Sequence, residues 1–312
     1  MTDPAVAPDI AVLLQMLENA DTPPIDQGTP EQAREGMRVL MVHLRGPEHV
    51  VGGVAVSDDT VAGSPARVYR PEGVDVPLPT VAFLHGGGFV IGDLDTHDPL
   101  CRLIARDCAA VVVAVDYPMA PEHRFPEPVE AALAAVREVH GKRSGYGGDD
   151  RVAVAGDSAG ANLCAVAAQE ARDLDLTAQL LIYPTVDPLG SYASRDQNAT
   201  GYFLDLPTME WFFAHYVGAE PAESALTDVR LSPLHGELAG VAPAVVATAE
   251  FDPLRDEGEQ YARRLEEAGV AARLSRYHGM IHGFFGMGHV MDQAKTAVQE
   301  ACANLRLVFT RR

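Results

Sequence analysis

The stretch that decides the fold is VAVAGDSAGANLCAVAAQEA, residues 152–171. An apolar run typical of a strand, 152–155, leads into Ser158, and an alanine-rich run typical of a helix, 159–171, leaves it. A glycine lies two residues before the serine and another two residues after it, and glycine lacks the Cβ atom that would clash with a neighbouring strand or helix. Gly-x-Ser-x-Gly between a strand and a helix therefore predicts a sharp, strained turn that projects Ser158 outward as a candidate nucleophile.

Ser158 has a second interpretation. A serine that follows a glycine turn can simply cap a helix. At the same position, however, the backbone N–H groups of the first helical turn face any negative charge that develops on a reacting group. The flanking elements and the partner residues described below favour the nucleophile.

Short apolar runs alternate with helical patterns on both sides of this turn. A half-exposed hairpin is predicted at 50–56 and 66–70. Further strands are predicted at 80–84, 110–115, 152–155, 178–183, 244–248 and 271–277, and helices at 100–108, 128–140, 159–171, 256–268 and 294–307. This alternation indicates an α/β fold with a mostly parallel central sheet and helices on both faces.

The alternation stops between 185 and 230, where seven of the 20 Phe, Trp and Tyr side chains lie close together in sequence. They are Tyr192, Tyr202, Phe203, Trp211, Phe212, Phe213 and Tyr216. Two more helices are predicted at 10–17 and 31–44. We expect a single domain, 1–312, with a small helical cap. The predicted cap is about 1–45 and 185–230, and the predicted core is about 46–184 and 231–312. The aromatic side chains either form the core of this cap, which is their more usual role, or line a pocket.

A glycine-rich loop, HGGGF at residues 85–89, follows a predicted strand. Acyl transfer develops an oxyanion, and hydrogen-bond donors must already point at it. Consecutive glycines let a backbone approach a ligand closely, and this loop type forms an oxyanion hole together with the residue after the nucleophile. We therefore predict oxyanion donors at Gly87, Gly88 and Ala159. A plain flexible turn is the alternative, and His85 is expected to brace the loop rather than to act as a base.

A serine hydroxyl needs a base, and the base needs an acid that orients it. In this strand–turn–helix arrangement the acid follows the serine along the chain and the histidine comes last. Glu250 and Asp252 follow the predicted strand 244–248. We predict Asp252 as the acid, because the chain turns there towards the next helix. Glu250 is expected to support the site, and Asp256 to cap the helix or to be exposed.

Three histidines lie at or after the predicted last strand, His278, His282 and His289, and His235 lies further back in the chain. The base should lie in the loop after the last strand. His282 lies in GMIHGF, where glycines on either side leave room for the ring to reach back over the sheet. His278 is still adjacent to the strand and His289 lies beyond the loop, so we predict His282 as the base.

Charge and composition exclude several classes of function. The chain has 24 Lys and Arg against 44 Asp and Glu, a formal net charge of −20, which disfavours nucleic-acid binding. It has no secretory signal pattern and no run of 18 apolar residues, so we expect a cytoplasmic protein without stable membrane insertion. The cysteines lack metal-ligand spacing and are expected to be buried thiols. They are Cys101, Cys108, Cys164 and Cys302. The oligomeric state is left open, and a homodimer is compatible with the sequence.

Together these segments resemble the hormone-sensitive-lipase-like esterases, also called bacterial family IV, of the α/β-hydrolase superfamily. The shared motifs are HGGGF at 85–89, GDLDTHD at 92–98, DYPMAPEHRFP at 116–126, GDSAG at 156–160, LIYP at 181–184, DPLRDEG at 252–258 and HGF at 282–284. The resemblance implies the α/β-hydrolase fold, the same catalytic triad and oxyanion hole, a cap from the N-terminal segment and the insertion, and no cofactor or metal.

The resemblance also implies a function. Similar enzymes are serine carboxylesterases that hydrolyse short- to medium-chain acyl esters through an acyl-enzyme intermediate. The alternatives are a lipase or an amidase within the same enzyme class, and a non-catalytic small-molecule binder on the same fold. Relatives that use the pocket only for binding lose this histidine, so the presence of His282 disfavours the binder.

The sequence departs from the family at one motif. Members usually have Arg-Leu after Asp-Tyr, where this chain has Pro118 and Met119. An arginine there would offer five N–H donors to brace the loop. We expect its loss to alter local packing and not to abolish the chemistry.

Overall fold

A computed structural model describes residues 5–19, 24–43 and 49–310. Within these ranges, eight strands form one sheet in the order β1-β2-β4-β3-β5-β6-β7-β8. The strands are β1 Val54–Val61, β2 Ser64–Pro71, β3 Leu78–Leu84, β4 Val111–Val115, β5 Gly148–Asp157, β6 Ala178–Ile182, β7 Ala244–Phe251 and β8 Ala272–Ile281. β1 and β2, and β2 and β4, pair antiparallel, and the remaining neighbours pair parallel.

Helices cover the sheet and fill the insertion. They are α1 Pro8–Glu18, α2 Pro30–Arg38, α3 Asp98–Cys108, α4 Glu127–Lys142, α5 Ala159–Glu170, α6 Ala193–Gln197, α7 Leu206–Val217, α8 Glu223–Leu226, α9 Arg255–Glu267 and α10 Asp292–Phe309. Short 3-10 or π turns occur at Ile25–Gln27, Val39–His43, Arg143–Tyr146, Arg172–Leu174, Pro233–His235 and Phe284–Met287. The predicted α/β-hydrolase architecture, a mostly parallel sheet with helices, is confirmed.

The central strands are buried on both faces, which is why their sequences are continuously apolar. In β4, Val111, Val113 and Val115 belong to the hydrophobic core shared with α4 and α5. Val112 and Ala114 point the other way, into the core shared with α3 and α10. Successive side chains of a strand alternate between faces, so one valine-rich strand serves two cores.

The first hairpin differs from its prediction. β1 spans Val54–Val61 rather than 50–56, and a turn at Ala62 and Gly63, with φ of 49° and 83°, joins it to β2. Only the two end residues of β1 are buried. A polar edge strand shows no apolar alternation, and for that reason its bounds could not be found by pattern.

The second N-terminal helix begins as a capping box. The Gln32 backbone N–H donates to Thr29 Oγ1 at 3.3 Å, and the Thr29 N–H donates to Gln32 Oε1 at 2.9 Å. α2 ends at Arg38, and the chain continues as the π turn Val39–His43. The predicted helix 31–44 is thus shorter as an α-helix, and its last residue lies outside the described residues.

The N-terminal segment contacts both the insertion and the sheet. α7 packs against the turn Ile25–Gln27. The Ala7 N–H donates to the Gly279 carbonyl at 2.9 Å, which ties the start of α1 to β8. The division of the chain into a cap and a core remains a prediction.

No helix in the described part of the chain has the length and apolar character needed to cross a bilayer.

Candidate active site

Ser158 lies at the turn between β5 and α5. Its backbone has φ 53° and ψ −118°, a left-handed conformation that costs a non-glycine residue strain energy. The Ser158 N–H donates to the Ile182 carbonyl at 2.8 Å, which anchors the turn to β6. A Cβ on Gly156 would lie 2.5 Å from the Leu84 carbonyl oxygen, and one on Gly160 only 1.9 Å from it. Both glycines are therefore required where the turn approaches β3.

Gly160→Ala should lower the free energy of unfolding by about 3 kcal/mol, the upper part of the usual range for overpacking. Its φ is unexceptional, and helix propensity alone would favour alanine by about 1 kcal/mol, so the loss comes from the steric clash. Urea unfolding measures it. The matched control is Gly141→Ala in α4, where nothing lies within 4 Å of the added atom. Equal stability of the two variants would contradict the close approach of this turn to β3.

Three side chains distant in sequence meet at the carboxyl edge of the sheet. His282 Nε2 lies 2.9 Å from Ser158 Oγ. His282 Nδ1 lies 2.7 Å from Asp252 Oδ2. Asp252 is fully buried, and the other two are more than nine-tenths buried. The predicted nucleophile, base and acid are thus joined in one chain of hydrogen bonds.

The fold explains why these residues meet. The carboxyl ends of parallel strands lie along one edge of a sheet, and a ligand site forms there. Asp252 directly follows β7, and His282 directly follows β8. The Asp252 Oδ1 atom accepts a hydrogen bond from the Leu254 N–H at 2.8 Å, and the Asp252 carbonyl accepts one from Asn198 Nδ2 at 3.1 Å. The carboxylate is therefore held with Oδ2 directed at the histidine.

The other acids near Asp252 have different partners. Glu250 Oε2 accepts a hydrogen bond from the Gly279 N–H at 2.8 Å. Asp256 Oδ2 accepts one from the Ser194 N–H at 2.8 Å. Glu250 thus links β7 to β8 and Asp256 links α9 to α6. Neither of these hydrogen bonds involves His282.

The other candidate histidines also lie in other surroundings. His278 is mostly exposed, and its Nδ1 lies 3.4 Å from Glu250. His289 Nδ1 lies 3.0 Å from a backbone carbonyl in the loop that follows His282. His235 Nε2 lies 3.2 Å from Asp187 Oδ1. The structure therefore brings His282, and none of these three, to Ser158.

The glycine-rich loop lies beside the serine turn. Gly87 and Gly88 have φ of 114° and 60°, which L side chains rarely adopt. A Cβ on Gly87 would lie 2.1 Å from the Ile91 carbonyl oxygen. The Gly86 N–H donates to Asp157 Oδ1 at 3.0 Å, and Asp157 immediately precedes the serine. The glycine-rich loop and the serine turn, which follow different strands, are thereby fixed against each other, and the oxyanion roles of Gly87, Gly88 and Ala159 remain a prediction.

A buried pair supports this junction. His97 Nε2 lies 3.5 Å from Asp157 Oδ1. Burial alone would raise the pKa of Asp157, but the charge of His97 and the Gly86 N–H outweigh it and hold that pKa below its ordinary value. Burial likewise opposes ionisation of His97, yet Asp157 raises its pKa above the ordinary value. Each member of this pair therefore favours the charged form of the other.

His85 makes contacts that suit a brace. Its ring stacks on Tyr117 with centroids 4.6 Å apart, and its Nδ1 lies 2.8 Å from the Gly86 carbonyl. The Tyr117 hydroxyl donates to the His85 carbonyl at 2.8 Å. These contacts hold the first residue of the loop.

Two aromatic side chains of the insertion contact the site, and the sequence pattern did not single them out. The Phe212 ring lies 2.2 Å from where a Cβ on Gly88 would be, so it packs directly on the glycine-rich loop. The Phe203 ring lies 3.1 Å from the equivalent position on Gly283, beside the histidine. Others pack elsewhere: Tyr216 is buried and stacks on Phe89 at 3.8 Å. The aromatic cluster thus serves packing in part and borders the site in part.

No group of three or more His, Cys, Asp or Glu side chains that could hold a metal ion occurs within residues 5–19, 24–43 and 49–310. The four cysteines are buried, as predicted, and carry no disulfide.

The fold and the Ser–His–Asp arrangement are those of the α/β-hydrolase class. The family described as alpha/beta hydrolase fold matches residues 81–286. The chain is 40% identical to carboxylesterase NlhH of Mycobacterium tuberculosis, over 98% of this chain and 98% of that one. It is 36% identical to an ethyl acetate hydrolase of Pseudomonas putida, over 92% of this chain and 94% of that one.

Solved structures agree with this class. A thermostable esterase from Pseudomonas putida superimposes with a TM-score of 0.90 at 36% identity, covering 98% of each chain. An esterase from the archaeon Pyrobaculum calidifontis gives 0.88 at 39% identity, covering 97% of this chain and 98% of that one. The chain therefore belongs to the hormone-sensitive-lipase-like family of the α/β-hydrolase superfamily, as its motifs predict.

Proposed function

We propose that Ser158, His282 and Asp252 hydrolyse carboxylic esters through an acyl-enzyme intermediate. The observation that carries this proposal is the 2.9 Å distance between His282 Nε2 and Ser158 Oγ. The other ring nitrogen, Nδ1, lies 2.7 Å from Asp252 Oδ2, so the histidine contacts both the serine and the aspartate. The chain is accordingly a carboxylic-ester hydrolase, and its substrates are small acyl esters. Activation by an adjacent base is what a serine hydroxyl needs to attack an ester carbonyl.

In the first step, Ser158 Oγ forms a bond to the carbonyl carbon of the ester, and its proton passes to His282 Nε2. The carbonyl oxygen becomes an oxyanion, which accepts hydrogen bonds from the N–H groups of Gly87, Gly88 and Ala159. The tetrahedral species then breaks its bond to the alkoxy oxygen. The imidazolium returns the proton to that oxygen, and the alcohol leaves.

In the second step, water replaces the alcohol. His282 takes a proton from the water, whose oxygen attacks the acyl carbon, and the same N–H donors receive the oxyanion again. Collapse returns the proton to Ser158 Oγ and releases the carboxylic acid. Asp252 holds the imidazole in the tautomer with its proton on Nδ1 and stabilises the imidazolium that forms, without itself taking up the proton.

Substrate size follows from the elements around the serine. We propose that the helical cap, about 1–45 and 185–230, covers the carboxyl edge of the sheet and places Phe212 against the oxyanion loop. A bulky ring there limits the space beside the reacting carbonyl. Short- to medium-chain acyl groups fit this arrangement, and the named activity of one relative, ethyl acetate hydrolase, involves a small ester.

A cytoplasmic location and a homodimer stay predictions.

The test of the function is a series of p-nitrophenyl esters from acetate to palmitate, with p-nitroacetanilide as the amide probe. We expect kcat/KM to be highest for the short and medium chains and much lower for palmitate and for the anilide. Rates that rise steadily towards palmitate would indicate a lipase, and anilide turnover comparable to that of the esters an amidase. No turnover of any probe would leave the binder as the better assignment.

Phe212→Ala should favour the longer acyl chain. We expect kcat/KM for p-nitrophenyl octanoate, divided by kcat/KM for p-nitrophenyl acetate, to rise about tenfold. A few methylene groups placed in an apolar pocket are worth roughly this factor or more. The matched control is Phe213→Ala, a neighbouring phenylalanine of α7 that is also partly buried against the core. If both variants leave the ratio unchanged, Phe212 does not limit the length of the acyl chain.

A further inference from the structure

Arg34 of α2 joins three segments that are far apart in sequence. Its Nε donates to the Val90 carbonyl at 2.8 Å, and its Nη2 donates to the Ala120 carbonyl at 2.9 Å. Nη1 and Nη2 also form a forked pair with the two carboxylate oxygens of Glu122, each at 2.7 Å. One guanidinium thus makes four hydrogen bonds, which a lysine could not reproduce.

These contacts converge on the residues that follow the predicted oxyanion donors. The Phe89 carbonyl accepts a hydrogen bond from the Ala120 N–H at 2.8 Å. The next carbonyl, that of Val90, is the one held by Arg34. The Val90 N–H in turn donates to the Gly87 carbonyl at 3.0 Å. The peptide groups that follow Gly88 are therefore anchored from outside the loop, by Arg34 directly and by the Ala120 segment that Arg34 also holds.

The turn that carries Ala120 has no side-chain donor at the two positions just before it. Pro118 lacks an N–H, and the Met119 side chain carries no N–H or O–H donor. The sequence predicts altered local packing at these two positions, where the arginine usual in the family is missing. The structure instead places a guanidinium at this turn from α2, and the Arg34 side chain is only 27% exposed.

The pair that fixes Arg34 stays charged under ordinary assay conditions. The Arg34 guanidinium holds the pKa of Glu122 at about 2, well below the usual range for a glutamate. Glu122 likewise raises the pKa of Arg34. Both groups are ionised near neutral pH, so the four hydrogen bonds are present while the enzyme turns over.

We propose that Arg34 is a positioning residue for the oxyanion loop, through which helix α2 controls the rate of the chemical steps. This inference rests on the proposed ester hydrolysis. Oxyanion stabilisation depends on donors held in place before the reaction, and a misplacement of about 1 Å can cost on the order of a hundredfold in rate. Loss of the Val90 anchor lets Gly87 and Gly88 shift while Ser158, His282 and Asp252 stay in place.

The experiment compares Arg34→Lys and Arg34→Met with the native enzyme on p-nitrophenyl acetate. We expect kcat to fall about tenfold in Arg34→Lys and about thirtyfold in Arg34→Met, with KM within about twofold, as for a partly misplaced group. The affinity for a trifluoromethyl ketone, which forms a tetrahedral oxyanion on the serine, should fall by the same factors as kcat/KM. The matched control is Arg137→Met, because Arg137 forms an exposed pair with Asp173, and its kcat should be unchanged.

Several outcomes would overturn the proposal. If kcat and trifluoromethyl ketone affinity stay native while the melting temperature falls, Arg34 is only structural. If KM alone rises, α2 acts on substrate access. Should the Arg34 variants fail to fold, Glu122→Gln removes the charge of its partner at little steric cost, and kcat should fall about threefold with matching loss of ketone affinity. Native values for that variant would equally reject the proposal. Absence of ester turnover by the native enzyme would reject the ester-hydrolase function itself, independently of Arg34.

Discussion

Ser158→Ala should lower kcat for p-nitrophenyl acetate by a factor of about 10⁴–10⁶, as removal of the nucleophile does in other triad enzymes. The variant keeps the Ser158 backbone contact to Ile182, so it should fold, and KM should change little because the oxyanion donors remain. His282 Nε2 is hydrogen-bonded to Ser158 Oγ, so the variant removes the hydroxyl that the base faces. Steady-state kinetics with a circular dichroism check on folding measure the effect.

The control for this variant is Ser275→Ala, at a partly exposed serine of β8 that contacts Glu300 at 3.2 Å and is not part of the proposed site. Its kcat should equal the native value. Full activity in Ser158→Ala would remove the nucleophile from the proposal. If instead the native protein is inactive, ligand-induced shifts in its melting temperature would test whether the site only binds small molecules.

Asp252→Asn should lower kcat at neutral pH by about 10⁴, by analogy with the same change in serine proteases, with little change in KM. An asparagine carbonyl can still accept the Leu254 N–H, so the loop keeps its shape. The amide NH₂ would then face His282 Nδ1 and favour the tautomer with its proton on Nε2. That tautomer cannot accept the Ser158 proton, so the base is lost although the ring stays in place.

Glu250→Gln tests which of the two acids that follow β7 orients His282. Glu250 accepts the Gly279 N–H, and glutamine can accept the same bond, so kcat should remain within about threefold of native. This expectation reflects the small effects usual for substitutions that keep their contacts. A large loss of kcat in Glu250→Gln together with an active Asp252→Asn would transfer the role of the acid to Glu250.

Local patterns were sufficient for the parts of the fold that obey simple rules. Buried parallel strands are continuously apolar, and the strand–glycine–serine–glycine–helix order leaves little choice of backbone at Ser158. Asp252 and His282 could be predicted because each follows a late strand, in the chain order of serine, acid and histidine that this arrangement requires. The predicted bounds of β1 were wrong, because a polar edge strand shows no apolar pattern from which its ends could be found.

The sequence by itself therefore determined the fold class, the family and the residues that meet as Ser158, His282 and Asp252. Only the tertiary structure decided which side chains surround them. Arg34 and Phe212 lie in helices remote in sequence from the glycine-rich loop, and each reaches it through a single side chain. Contacts of this kind have no periodicity or motif, because they depend on how separate helices pack against the loop. The backbone rules are local, and the packing that positions the loop is not.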